Sequence, residues 1–215
     1  MRKMGLIVAF IVMLGCSVFA AGQNTAFSTG KKKGPETGIK AGEAGICLLL
    51  NYGIPSGDVA NILNSTLGFC FAGIFRNVLV NDFSLKLEGD YNQYFGKFDS
   101  NEFIRVVEAK LLGRYDILIP EMPGVLFLEA GGGAAFETIS VAGFSGDNID
   151  PVYCFGAGYE LNISDTLTFL GIASYSIIPE KYISGAAKDG GFIKLYAGIN
   201  YIIGAENNGR GGRRR

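Results

Sequence analysis

Charged residues recur at every second position in two segments of the 215-residue chain. Lys86, Glu88 and Asp90 form one series, and Glu108 and Lys110 belong to the other. Successive side chains of an extended strand point to opposite faces, so a spacing of two puts each series on one face. Opposite charges held on one face form ion pairs. Such a set could act as a gate that exchanges partners, or as a static plug of salt bridges.

The residue inventory narrows the chemistry further. The chain has no histidine, which excludes Ser/His and Asp/His catalysis and metal sites built on imidazole. Catalysis by carboxylates alone stays formally open, but we predict a non-enzymatic protein without catalytic residues, metal or cofactor. The run at 131–133 is Gly-Gly-Gly but lacks the Lys-Ser/Thr that completes a phosphate loop, so it favours close strand packing.

The four cysteines show no Cys-x-x-Cys spacing. Cys16 lies in the N-terminal apolar segment, which leaves the odd set Cys47, Cys70 and Cys154. Neither a disulfide framework nor a zinc site is indicated. We predict that these three are small apolar filler, and a single disulfide between two of them stays open in an oxidising compartment.

Composition limits the class of protein. Only 18% of the residues are charged and the mean hydropathy is +0.27, whereas a soluble domain carries about a quarter charged residues. The formal net charge of −1 gives no indication of nucleic acid as a partner. Beyond the N-terminus no segment has the length and hydropathy of a spanning helix. The fold itself must therefore account for the high hydropathy.

The N-terminus has the pattern of a secretory signal. Residues 1–3 are basic, residues 5–18 are apolar, and Val18-Phe19-Ala20 fits the rule for cleavage after Ala20. An uncleaved anchor is an alternative, although the run is short of the ~20 residues of a spanning helix. A lipoprotein is another, because the segment ending at Cys16 weakly resembles a lipobox. We predict a signal peptide at 1–20, a polar linker at 21–37 and a basic flexible tail at 205–215.

Between residues 38 and 204 the hydropathy pattern has period two, with turn signals between segments and no convincing helical period. The seventh segment is ambiguous because both of its faces are largely apolar. The eight predicted strands are Gly42–Tyr52, Thr66–Arg76, Phe83–Tyr94, Phe103–Ile117, Val125–Glu137, Val152–Ile163, Thr166–Ile177 and Gly191–Ile203.

Connections between these strands alternate in length, except that the link at 96–101 is short where a long one is expected. Such alternation is typical of antiparallel up-and-down order, with one tight end and one elaborated end. In the first long link, Val59, Ile62 and Leu63 could form a short helix on the rim or belong to a mobile loop. The short links are 78–82, 118–124 and 162–165, and the long ones are 53–65, 139–150 and 179–190.

The character of the two strand faces indicates which one is inside. An eight-stranded barrel holds little more than its own inward side chains, so faces of Phe, Tyr, Leu and Ile would overfill it. We predict that the apolar faces contact lipid, where only a closed sheet satisfies its backbone. The predicted fold is all-β, an eight-stranded antiparallel up-and-down transmembrane β-barrel at 38–204 after the signal peptide. Its lumen charge network comprises Glu43, Lys86, Glu88, Asp90, Glu108, Lys110, Arg114, Glu129, Glu160 and Lys194.

Three segments resemble the small outer-membrane β-barrel family of the OmpA/OmpX type, which includes porin-like proteins. Residues 156–167 resemble its Gly-x-Gly strand, tight turn and following strand, and residues 114–133 resemble the strand–turn–strand ahead of a Gly-rich strand. The last strand carries Tyr196, Gly198, Tyr201 and Ile203, which resemble the C-terminal assembly signal. The resemblance covers residues 38–204. It implies a Gram-negative outer membrane, contact with its lipid and recognition by the barrel-assembly machinery.

The chain departs from that family in two respects. Ile203 stands where the family has a terminal aromatic residue and is followed by the Arg-rich segment 205–215, and no peptidoglycan-binding domain follows. A cell-wall tether is therefore not expected. We predict a monomer with a structural or surface-interaction role through its long loops and a plugged lumen, because eight strands leave no wide channel. A narrow pore or gated channel for small solutes or ions, and a soluble periplasmic lipocalin-like carrier, are the alternatives.

Overall fold

A computed structural model describes residues 43–78, 80, 82–119, 122–141, 144–179 and 190–203. The predicted signal peptide, linker and tail lie outside these ranges. No helix within them is long and apolar enough to cross a membrane. The described elements are β1 Ala44–Gly57, a 3-10 helix Asp58–Asn61, β2 Thr66–Phe75, β3 Phe83–Phe95, β4 Phe103–Ile117, β5 Gly124–Val141, β6 Phe144–Asn162, β7 Leu167–Ile178 and β8 Gly190–Ile203.

The eight strands form a closed antiparallel barrel in chain order. Each strand pairs with the next, and β1 pairs with β8 from Ala44 opposite Ile203 to Gly57 opposite Gly190. Closure leaves neither β1 nor β8 as a sheet edge, so their backbone groups are paired without water. The predicted fold class is confirmed.

Alternation along each strand separates an apolar exterior from a charged interior. Leu67 is 75% exposed and Leu50 is 70% exposed, whereas Lys194 and Arg114 are fully buried. In β3 the even-numbered positions from Ser84 to Asn92 are all buried, and the odd-numbered positions face out. The lipocalin-like alternative needs the broad apolar faces inside, and the structure has them outside.

Strand bounds agree best where the period-two pattern is cleanest. The β4 strand has the predicted limits, Phe103–Ile117. The predicted long link at 139–150 is wrong, because β5 runs to Val141 and β6 begins at Phe144. The predicted link at 53–65 is too long as well, since β1 continues to Gly57. In both places pairing with the neighbouring strand overrides the weak strand preference of Gly, Asp, Asn and Pro.

Two prolines lie just beyond the end of the ladder between β6 and β7. The last pair is Tyr153 opposite Ile177, and continuing the same register would set Pro151 opposite Pro179. Proline has no N–H to donate to a ladder. Among the described strands, the part of β6 that precedes Tyr153 pairs only with β5, and the last pair of that ladder is Phe144 opposite Val141.

The interior is not wholly polar, although the sequence predicted a network of charged residues there. Apolar side chains form two clusters inside the barrel. The cluster toward the long-loop end contains Val59, Leu63, Tyr94, Ile104, Val106, Ala135, Ile139, Val152, Ile178 and Phe192. The cluster toward the chain-terminal end contains Cys47, Leu49, Cys70, Ala72, Ile74, Phe127, Leu170, Ile172 and Tyr196.

Candidate functional site

Seven buried charged residues form a network across the middle of the lumen, which we call the central cluster. Lys110 Nζ lies 2.8 Å from Glu88 Oε1 and 2.7 Å from Glu108 Oε2. Lys86 Nζ lies 2.6 Å from Glu88 Oε2 and 3.1 Å from Glu129 Oε2. The members are Lys86, Glu88, Asp90, Glu108, Lys110, Glu129 and Lys194.

Strand register explains most of these contacts, but Lys194 reaches across the lumen. Glu88 is opposite Lys110 on the adjacent strands β3 and β4, as Asp90 is opposite Glu108. Lys194 comes from β8, which is not next to either strand, and its Nζ lies 2.7 Å from both Asp90 Oδ2 and Glu108 Oε1. A side chain that joins opposite walls fills the lumen between them.

A second group of four charges lies nearer the short connections, and we call it the end cluster: Arg76, Arg114, Asp116 and Glu160. Arg114 Nε is 2.6 Å from Asp116 Oδ1, and its Nη2 is 2.5 Å from Glu160 Oε2. Arg76 also pairs with Glu160. The Arg114 guanidinium lies 3.8 Å from the centroid of the Phe127 ring, a cation–π contact.

The structure brings nine of the ten predicted lumen residues into these two clusters. The tenth, Glu43, is 6% exposed and its carbonyl accepts a hydrogen bond from the Arg76 N–H. The predicted lumen network includes neither Arg76 nor Asp116, and the structure adds both of them to the end cluster. Gly68, Cys70, Ala72 and Ile74 lie at every second position of β2 and face the lumen. Continuing this alternation by two residues places Arg76 on the same face.

The residues of the predicted assembly signal divide between the two faces. Tyr196 points inward and its hydroxyl donates to Asp90 Oδ2 over 2.8 Å. Tyr201 points outward and is more than half exposed. Gly198 contacts Leu49 across the seam between β8 and β1. A role of these positions and Ile203 in assembly stays a prediction.

The three cysteines among the described residues, Cys47, Cys70 and Cys154, are free and buried in the barrel. Cys47 and Cys70 belong to the apolar cluster at the chain-terminal end, which agrees with the predicted role as filler. Within the described ranges no group of three or more His, Cys, Asp or Glu side chains is placed to hold a metal ion.

The link after β1 closes the lumen at the long-loop end, and we call residues 58–65 the cap. Val59 and Leu63 are buried and pack on Tyr94, Ile104 and other inward apolar side chains. Of the two alternatives for this link, a short helix and a mobile loop, the structure has a short helix at Asp58–Asn61. Val59 and Leu63 point into the mouth and do not lie on the rim.

The cap is tied to the turn between β3 and β4 by hydrogen bonds. The Asn64 N–H donates to the Phe95 carbonyl (2.8 Å), and the Lys97 N–H donates to the Ile62 carbonyl (2.9 Å). Lys97 Nζ donates to the Ala60 carbonyl over 2.5 Å. The cap and this turn are therefore joined at the mouth of the barrel.

Comparison with known proteins gives a fold match without a sequence match. No protein-family model and no curated protein sequence matches the chain. Neisserial surface protein A superposes with a TM-score of 0.57 at 13% identity, covering 74% of this chain and 98% of that one. Ail of Yersinia pestis gives 0.51 at 16% identity, covering 76% and 100%. Outer membrane protein AlkL, determined in lipid bilayers, gives 0.50 at 14% identity, covering 82% and 97%.

The chain has the fold of a small outer-membrane β-barrel. A band of lipid-facing residues is expected on such a barrel, bounded by polar or aromatic side chains. On the long-loop side a polar row crosses four neighbouring strands at Gln93, Arg105, Thr138 and Asp147. The adjacent row of lipid-facing residues, one step closer to the middle of the barrel, contains Tyr91, Val107, Phe136 and Ile149. On these four strands the polar row separates the apolar residues of the middle from the long-loop end.

Proposed function

We propose that the protein is a monomeric, non-enzymatic β-barrel of a Gram-negative outer membrane that does not conduct and serves a structural or surface-interaction role at its loop end. The single observation that carries this proposal is the double closure of the lumen. The central cluster fills its middle, where Lys194 joins opposite walls, and the cap fills its mouth. A solute would have to break buried ion pairs as well as displace apolar packing.

The loop end offers a surface that the lipid band does not explain. Phe98 is 88% exposed in the turn between β3 and β4, beyond the polar row that limits the apolar band. Aromatic side chains are enriched at macromolecular contacts, so Phe98 is the candidate contact of the proposed surface role. Among proteins of this fold, Ail is named as an attachment invasion locus protein, which supports a surface role by analogy of fold alone.

Conductance separates this role from the pore alternative. We expect the purified barrel in a planar lipid bilayer to give no steady single-channel steps. Steady steps that disappear when Lys86 and Glu88 are neutralised together would support the pore and contradict the proposal.

Cysteine labelling of cells tests the location and the orientation. We expect a membrane-impermeant maleimide to label Phe98→Cys on intact cells and Ser164→Cys, in the opposite tight turn, only after permeabilisation. Cys47, Cys70 and Cys154 are buried and are expected to give a low background. Labelling of Ser164→Cys on intact cells, with Phe98→Cys protected, would reverse the orientation. Release of both variants with the periplasmic contents without detergent would contradict the membrane location.

A further inference from the structure

Three buried oxygen atoms on the lumen wall lack a hydrogen-bond partner among the described residues: Asn51 Oδ1, Asn92 Oδ1 and Tyr94 Oη. All three side chains are at most 1% exposed. The three oxygen atoms lie beside Gly53 of β1 and Gly68 of β2, where the absence of a Cβ leaves room for them. A Cβ on Gly68 would lie 2.4 Å from Asn92 Oδ1 and 2.8 Å from Asn51 Oδ1, and one on Gly53 would lie 2.4 Å from Tyr94 Oη.

Asp90 fixes the direction in which both amides point. Asn51 Nδ2 donates to Asp90 Oδ1 over 2.6 Å, and Asn92 Nδ2 donates to the same oxygen over 3.1 Å. Turning either amide over would set its oxygen against the carboxylate, so the two carbonyl oxygens must face away from Asp90. Two amide oxygens, which only accept, and a hydroxyl, which also donates, thus lie together without a partner, and the two amide oxygens favour a ligand that is positive or donates.

The charge of the central cluster also calls for a positive ligand. Four carboxylates, those of Glu88, Asp90, Glu108 and Glu129, face only three ammonium groups. The end cluster is balanced, with two guanidinium groups and two carboxylates. A buried negative charge without compensation is costly, so the cluster favours one added cation.

We propose that Asn51, Asn92 and Tyr94 bind a monovalent alkali cation beside Asp90, and that this ion supplies the positive charge that the central cluster lacks. Hard cations take neutral and anionic oxygen ligands of this kind. A single charge suffices, because the lysines already occupy the carboxylates that a divalent ion would need. The site is a structural element of the lumen wall and does not depend on the surface role proposed above.

Unfolding of the full chain by urea in detergent micelles measures this binding. The buffer contains tetramethylammonium chloride, which is replaced stepwise by NaCl or KCl at constant ionic strength. A ligand that binds only the folded state lowers the unfolding equilibrium constant about tenfold for each tenfold rise in its concentration above its Kd. We expect that dependence for Na⁺ or K⁺. Broadening of the ²³Na resonance by the folded protein, reversed by K⁺, gives a second measurement that needs no unfolding.

Two single-hydroxyl variants form a matched pair. Tyr94→Phe removes one ligand oxygen and is expected to raise the Kd of the cation roughly two- to tenfold. Ser84→Ala removes another fully buried hydroxyl, which faces the end cluster, and is expected to leave the Kd unchanged. Glu129→Gln removes the excess negative charge and is expected to abolish the dependence on the cation.

Three results would overturn the proposal. One is an unfolding equilibrium that is the same in tetramethylammonium, Na⁺ and K⁺, together with an unbroadened ²³Na resonance. Another is a cation dependence that Tyr94→Phe and Ser84→Ala alter equally, since that places the ion elsewhere. The third is a dependence that Glu129→Gln leaves intact.

Discussion

Glu160 shows at the scale of a single residue how the barrel holds a buried charge. Its carboxylate accepts hydrogen bonds from Arg76, Arg114, Thr168 and Asn200, which lie at β2, β4, β7 and β8. One side chain therefore joins segments that are distant around the barrel. Such a pair adds little net stability compared with apolar packing, but losing one partner leaves the other charge buried and uncompensated.

The variant Arg114→Met tests this asymmetry. It leaves Glu160 and Asp116 with fewer cations, so we expect the free energy of unfolding in detergent micelles to fall by about 3–5 kcal/mol. The double variant Arg114→Met with Glu160→Gln removes the excess charge and is expected to recover part of that loss. A single variant as stable as the parent chain would contradict the description of the end cluster.

The outward face gives a second prediction at residue scale. Leu50 lies in the middle of β1 and is 70% exposed, so Leu50→Lys puts an ammonium into hydrocarbon and is expected to cost about 2–4 kcal/mol. Gln93→Lys, in the polar row, is the control and is expected to cost at most about 1 kcal/mol. Equal losses at the two positions in a urea titration would mean that Leu50 does not face lipid.

Individual elements show where the sequence suffices and where it does not. The β4 strand was predicted to the residue because charged and apolar side chains alternate from Val107 to Leu111 and again from Arg114 to Ile117. The extended hairpin of β5 and β6 was missed because Gly146, Asp147 and Pro151 favour turns, and only pairing with β5 holds them extended. Pairing partners are not visible in a local pattern.

Some contacts of the charged site can be predicted from the sequence and others cannot. The spacing of charged residues alone places Glu88 on the polar face of β3 and Lys110 on the polar face of β4. Their contact follows because β3 and β4 are adjacent and pair these two residues. The reach of Lys194 to Asp90 depends on the closed barrel, which brings β8 across from β3. The burial of Val59 depends on the width of the barrel mouth. The sequence of a short apolar link is the same whether the link folds into the mouth or away from it.

Removal of the cap tests the two closures separately. We expect Val59→Ser with Leu63→Ser to expose the Asn64 N–H to faster hydrogen exchange, because its apolar support is lost. This double variant is still expected not to conduct in a planar bilayer, since the central cluster stays in place. Adding Lys194→Ala removes the side chain that joins the walls, and only then do we expect short openings. Conductance of the double variant would show that the cap alone closes the lumen.

At the scale of the whole molecule, the distribution of apolar and charged side chains is the reverse of that in a soluble globular protein. Leucine, phenylalanine and tyrosine cover the outside, while the middle of the lumen holds the charged central cluster. In water this arrangement would expose a continuous apolar surface far larger than a soluble monomer tolerates. In a bilayer the same surface is solvated by acyl chains, and closure of the sheet satisfies its backbone.

A scan of spin labels along β1 in lipid nanodiscs tests this arrangement most directly. In a background without native cysteines, single cysteines at positions 46 to 52 are labelled and their collision rates with O₂ and with a water-soluble nickel complex are measured. We predict period two, with high O₂ and low nickel accessibility at Ile46, Leu48, Leu50 and Tyr52, and low accessibility to both reagents at Cys47, Leu49 and Asn51. The opposite phase, with the labels at 46, 48, 50 and 52 shielded from both reagents, would contradict the account.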